Sequence, residues 1–174
     1  MYMHVRDFCY NSFMKKITPC LWFDDNAEEA VNYYVSIFKN STINSASRYD
    51  EASAKVAQRP AGSVMMMTFT LDGNDFLALN GGPVFKLSEA VSFMIPCKDQ
   101  AEIDFFWEKL TDGGEEQPCG WMKDKFGLSW QLIPDGFKEM MGSGNPTKMK
   151  NVMGALMQMK KPILADLEAA YNKE

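Results

Sequence analysis

The chain has 174 residues, of which 46% are apolar, and a formal net charge of -5. That length suits one domain with a sizeable core. The mild acidic balance, without a block of Lys or Arg, argues against nucleic acid as a partner. No apolar run is long enough to span a bilayer, which argues against a membrane protein.

Residues 1–13 read as an extension foreign to the rest, because Met14-Lys15-Lys16-Ile17 makes a natural start. The stretch lacks the apolar core and small-residue cleavage site of a signal peptide. The expected domain therefore runs over 14–174, in the cytoplasm. Cys9, Cys20, Cys97 and Cys119 show no C-x-x-C spacing. They read as reduced thiols rather than a zinc or dithiol motif.

Residues 17–23 read as a buried strand. Asp25 is placed to cap a helix, with Glu28 completing a capping-box-like pair. Ala27, Ala30, Val31, Tyr34 and Phe38 then recur at helical spacing. Residues 41–49 read as a second strand, and 50–63, with Pro60 and Gly62, as a mobile loop. Val64 to Leu71 and Asn74 to Asn80 flank Asp72-Gly73, which predicts a β-hairpin on a type I′ turn. Asn80-Gly81-Gly82-Pro83 lacks the lysine and spacing of a phosphate loop and reads as a chain turn.

The same order then returns. Residues 91–97 predict a strand. Asp99 and Glu102 predict a capped helix with Ile103, Phe106, Trp107 and Leu110 on its apolar stripe. Gly113-Gly114 ends it, and a hairpin follows from Trp121 through the Asp124 to Gly127 turn to Ile133. The repeat matches Asp25 with Asp99 and Tyr33 roughly with Trp107. After Pro134 the pattern is helical. Met149, Met153, Leu156 and Met157 form a stripe suited to packing on the body or on a partner subunit.

Two βαβββ units, about 15–83 and about 89–134, with a helical tail over 135–174, predict an α+β fold. The repeat, Asp-x-Ala-Glu after each first strand, and Trp130-Gln131-Leu132-Ile133-Pro134 resemble the vicinal oxygen chelate superfamily (the glyoxalase/bleomycin resistance fold). Within it, several strings resemble the PhnB-like branch, also labelled 3-demethylubiquinone-9 3-methyltransferase domain. They are Ile17-Thr18-Pro19, Trp22-Phe23-Asp24, Ala78-Leu79-Asn80-Gly81-Gly82-Pro83, Cys119 to Gly127, and Ser129-Trp130-Gln131. The resemblance covers about residues 15–170. It implies curled mixed half-sheets that form a cup around a small molecule, and it implies a homodimer.

Glyoxalase-type members hold a divalent metal with His and Glu from the first and last strand of each unit. Carried onto this chain, those positions hold Thr18, Leu77, Ser92 and Gln131. Two hydroxyls, a carboxamide and a leucine are a poor donor set for a transition metal. The single histidine, His4, lies in the extension. The expectation is therefore no metal and no other cofactor. Strand alternation adds Cys20 and Trp22 beside Thr18, and Ser129 and Ile133 beside Gln131, with Trp121 as a neighbouring wall. Cys20 has no histidine to activate it as a nucleophile. Asp24 and Asp25 read as helix-start residues rather than a catalytic carboxylate pair.

No G-x-G turn of the kind that holds a methyl donor in a doubly wound sheet is present. Three functions stay open. One is a protein that binds a small molecule in the cup. Another is a metal-independent transferase- or lyase-type enzyme, and the third is a structural dimer with a filled cup.

Overall fold

A computed structural model describes residues 17–173. The extension over 1–13, with His4 and Cys9, lies outside the described residues. The chain divides into two compact units, with the division between Lys86 and Leu87. Among the described residues no helix is long and apolar enough to cross a membrane.

Unit one contains β1 (Cys20–Phe23), α1 (Ala27–Ile37), β2 (Thr42–Arg48), α2 (Glu51–Ala57), β3 (Val64–Leu71) and β4 (Asn74–Asn80). Its sheet has the order β1-β4-β3-β2, with β1 parallel to β4 and the other pairs antiparallel. Leu21, Phe23, Met67, Phe69, Phe76 and Ala78 are buried on the face that carries α1. Alternate residues lie on the second face, here called the far face. α1 meets the sheet through Ala27, Ala30, Val31, Tyr34 and Ile37. Asp72 and Gly73 both have positive φ, 44° and 73°, as a type I′ turn requires.

Unit two contains β5 (Ser92–Cys97), α3 (Gln100–Thr111), β6 (Glu115–Glu116), β7 (Trp121–Lys123) and β8 (Ser129–Pro134). Its order, β5-β8-β7-β6, repeats that of unit one, again with the first and last strands parallel. Ile103, Trp107 and Leu110 of α3 are buried, as are Ile95, Cys97, Met122, Trp130 and Leu132 of the strands. The buried Asp124 carboxylate accepts from the amides of Phe126 and Leu128 and from Trp130 Nε1, closing the turn between β7 and β8.

Helices α4 (Asp135–Met141), α5 (Pro146–Leu156) and α6 (Leu164–Asn172) follow. The segment between α5 and α6 is bonded into unit two. Met159 and Lys160 carbonyls accept from the amides of Cys119 and Gly120, each at 2.8 Å. Gln100 donates to Pro162 O and accepts from Leu164 N.

Four sequence expectations are corrected. Residues 50–63 are not all loop, because Asp50 and Ser53 form a reciprocal capping box that starts α2. The first strand is shorter than 17–23 and begins at Cys20. Val152 and Leu167 fill the seam between α5 and α6, whereas Met153 and Met157 are exposed. A helix turns by about 100° per residue, so stepping from Val152 to Met153 rolls the side chain off the seam.

The fourth correction concerns the helix start. Asp25 does not cap α1. Its N-cap position is Asn26, whose side chain makes no cap bond, and Asn80 Oδ1 accepts from Ala27 N at 2.8 Å instead. In unit two Asp99 does cap, accepting from Glu102 N, while Glu102 returns a bond to Lys98 N. Aligning the two caps matches Asn26 with Asp99. Ala30, Tyr34 and Ile37 then match Ile103, Trp107 and Leu110, so the partner of Trp107 is Tyr34 rather than Tyr33. Unit one carries Asp24 and Asp25 in the turn where unit two has only Lys98.

Asn80 also donates to Val64 O at 3.0 Å, and its own carbonyl accepts from Tyr49 Oη. Removing its amide leaves a helix-start N–H and a strand carbonyl unpaired in a buried place. Asn80→Ala is expected to cost about 3 kcal/mol in urea unfolding, against about 1 kcal/mol for Asp99→Ala and under about 0.5 kcal/mol for Asp25→Ala. Equal losses for Asn80→Ala and Asp25→Ala would contradict this assignment of the cap.

Candidate functional site

The far face of each sheet carries the residues that the sequence singled out. In unit one Cys20 pairs with Leu77 and Trp22 with Leu79. Leu77 in turn faces Thr68 across the β3–β4 ladder. Thr68 faces Ser45 on β2, and their hydroxyls are 2.7 Å apart. One row across the sheet therefore reads Cys20, Leu77, Thr68, Ser45. Thr18 precedes β1 and is half-buried.

Cys20 is exposed, yet its surroundings strip enough water from the thiol to raise its pKa. That works against thiolate chemistry. Burial raises the Cys97 pKa further, to about 12, with the carboxylates of Glu102, Asp135 and Asp99 adding to the effect.

Trp22 does more than line a face. Its Nε1 donates to Gly82 O at 2.8 Å, and its ring meets Phe85 edge to face. A Cβ on Gly81 would fall 2.2 Å from the Trp22 ring, so this position needs glycine for close approach. Arg59 pairs with Asp24 at 2.7 Å beside Gly82. The segment 80–83 is thus a clamped turn, and Asp24 is half of an ion pair.

Unit two concentrates the polar groups. Met94 pairs with Gln131, and Trp121 faces Gln131 from the other side. Gln131 Nε2 donates to Ser92 Oγ at 2.6 Å. Ser129 lies between Ser92 and Lys123 in the adjoining row. Its hydroxyl is fully buried and has no hydrogen-bond partner among the described residues. Lys123 is bridged to Glu89, which precedes β5, and Gln117 Nε2 donates to the same carboxylate oxygen at 3.3 Å.

The structure thus brings Ser92, Gln131, Trp121 and Ser129 together on one face and Cys20, Trp22 and Leu77 on another. Sequence reasoning missed Thr68, Ser45, Met94, Lys123, Glu89 and Gln117. Period-two alternation from Ser92 and Trp121 was enough to reach Met94 and Lys123. Glu89 and Gln117 come from irregular segments and leave no such signal.

The four positions that hold a metal in glyoxalase-type members do not fit one in this chain. Thr18, Leu77, Ser92 and Gln131 offer no imidazole, carboxylate or thiolate. Among the described residues no group of three or more His, Cys, Asp or Glu is placed to hold a metal ion.

Residues 15–133 match the family model described as 3-demethylubiquinone-9 3-methyltransferase. The chain belongs to this family. The PhnB protein of Bacillus cereus is 36% identical, with 69% of this chain and 99% of that one covered and a TM-score of 0.60. A protein from Pseudomonas aeruginosa is 19% identical over 69% of this chain and 97% of its own, with a TM-score of 0.55. The fosfomycin resistance protein FosX of Listeria monocytogenes, in complex with Mn(II) and sulfate, is 13% identical. It covers 75% of this chain and 98% of its own, with a TM-score of 0.51. The last two show the fold alone, the one expected for the vicinal oxygen chelate superfamily. No protein of curated function matches in sequence.

A methyl donor of the S-adenosylmethionine kind is not matched by the strand-to-helix turns of this chain. Asp24-Asp25-Asn26 and Lys98-Asp99 contain no glycine, and neither sheet is doubly wound.

The Lys123 ammonium and the Gln117 amide hold the Glu89 carboxyl down at about 2. A depressed carboxyl pKa gives stability that is present above the ordinary value of 4.5 and is lost as pH falls toward 2. Glu89 is thus expected to stay ionised at neutral pH and to lose its charge only in strong acid. NMR titration should find Glu89 near 2 in the native protein and returning toward 4.5 in Lys123→Met. An unperturbed Glu89 would contradict the bridge. Cys20, with its raised pKa, is expected to alkylate with iodoacetamide more slowly at pH 7 than a free thiol. A faster rate would reopen its role as a nucleophile.

Proposed function

We propose that this protein binds a small organic molecule on the far face of its sheets, without a His/Glu metal centre. The observation that supports this most is the arrangement around Gln131. A carboxamide and a hydroxyl, already bonded to each other, sit between Trp121 and Met94. Apolar walls around a few directed polar groups suit recognition of a small molecule. Neither group titrates near neutral pH, which favours binding over acid–base catalysis. Unit one adds Cys20, Leu77 and the hydroxyls of Thr68 and Ser45, a row suited to contact more than to chemistry. Thr18 and the ring of Trp22 belong with that row to unit one's own far face. The protein is further proposed to act as a homodimer in the cytoplasm.

Native mass spectrometry of freshly purified protein, with elemental analysis of the same sample, tests this reading. The expected result is a dimer free of stoichiometric transition metal that carries a co-purified organic ligand. That ligand should be lost in Gln131→Leu. Stoichiometric Ni, Zn, Fe or Mn would overturn the metal-free reading, and a ligand retained in Gln131→Leu would displace the site from Gln131.

A further inference from the structure

The irregular segment that leads into β5 places an acidic side chain against the far face of unit two. The Glu89 carboxylate receives Lys123 Nζ and Gln117 Nε2 on a single oxygen. In the β7–β8 ladder Lys123 stands directly opposite Ser129, and Ser129 is the β5–β8 partner of Ser92. Residues so paired project to one face with Cβ atoms about 5 Å apart. The Ser129 hydroxyl is fully buried and unpartnered among the described residues. A buried hydroxyl without a partner is unfavourable, so its presence calls for a reason. The same segment passes over the turn that follows β7, where Leu87 Cβ would lie 4.0 Å from a Cβ placed on Gly127.

We propose that the Glu89 side chain is a built-in stand-in for the carboxylate of a small organic acid. Such an acid binds at Lys123, Gln117 and Ser129 when Glu89 swings away. This names a ligand class for the far face of unit two, and it rests on the proposed function.

The charges select a monoanion. Lys123 is the only cation in this group, and its register partner on β6 is Glu115. With Glu89 displaced, a single negative charge restores the balance that the structure now holds, and a dianion would meet repulsion from Glu115. Trp121 and Met94, beside Gln131 on the same face, offer an apolar surface for the body of the acid. The exchange is accessible because the Lys123 and Glu89 side chains keep 28% and 46% of their exposure. Ion pairs that wet are weak and open to competition. Glu89 competes with the advantage of its tether, which lowers the apparent affinity for any free acid.

Isothermal titration of the full-length protein with benzoate, with neutral benzamide as control, tests the proposal at low salt. Glu89→Gln keeps the shape of the side chain and removes its charge. It is expected to bind benzoate at least tenfold more tightly than the native protein, with no matching gain for benzamide. Lys123→Met in the Glu89→Gln background should abolish that gain. Ser129→Ala, a change of one atom, should reduce it without lowering the unfolding midpoint. Benzoate affinity that is unchanged, weaker or undetectable in Glu89→Gln would overturn the proposal, as would an equal gain for benzamide. A co-purified ligand lost in Gln131→Leu, together with unchanged benzoate affinity, would leave the broader reading standing and sink this one.

Discussion

Each four-stranded sheet of this protein has one helix of its own to bury a face, and that constraint organises the rest. The parallel pairing of first and last strands, β1 with β4 and β5 with β8, needs a long connection, and the helix is carried within it. With α1 or α3 in place, period-two alternation decides every other position. Phe69, Phe76 and Ala78 go under the helix in unit one, and Met122, Trp130 and Leu132 go under it in unit two. Thr68, Leu77, Gln131 and Lys123 are left on the far face because their neighbours are not. The candidate site is thus a by-product of core formation that the side chains then specialise.

The two units solve one problem differently. The last residue of each unit's first strand pairs with the last residue of its last strand, Phe23 with Asn80 and Cys97 with Pro134. Asn80 can reach across to cap α1, whereas a proline in the same place has no side-chain oxygen to offer. Unit two therefore depends on Asp99 within its own turn. Unit one has an additional residue in that turn and needs no local cap. The added residue frees Asp24 to pair with Arg59, which helps hold the clamped segment under Trp22. One plan is thus completed by a distant residue in unit one and by a near one in unit two.

Much of this was legible in the sequence because it rests on periodicity. The strand-helix order, the two hairpins, the Asp72-Gly73 turn and the apolar stripe Ala27, Ala30, Val31, Tyr34 follow from spacing alone. Alternation put Cys20 and Trp22 on one face with Thr18, and Ser129 on one face with Gln131, once the family resemblance had supplied Thr18 and Gln131 as starting points. Legibility failed where a partner is far away in the chain. Asn80 capping α1 across 53 residues leaves no local trace, and Asp25 occupies the place that a local rule would choose. The short helix α2 was hidden because its cap lies inside a stretch rich in small residues and punctuated by Pro60 and Gly62. Glu89 was hidden because irregular backbone carries no period from which to read a direction.

The family match ends at residue 133, just where β8 closes, yet the chain beyond it is not an appendage. The amides of Cys119 and Gly120 find their acceptors at Met159 and Lys160, and both ends of the Gln100 amide are taken up by Pro162 and Leu164. Lys161 adds an ion pair to Asp104 at 2.6 Å. The border drawn by ancestry and the border drawn by cooperativity therefore fall in different places. A protease that cleaved the connection between α4 and α5 would sever the chain without releasing the piece. The nicked molecule would be held as one body by main-chain bonds lying well past the cut.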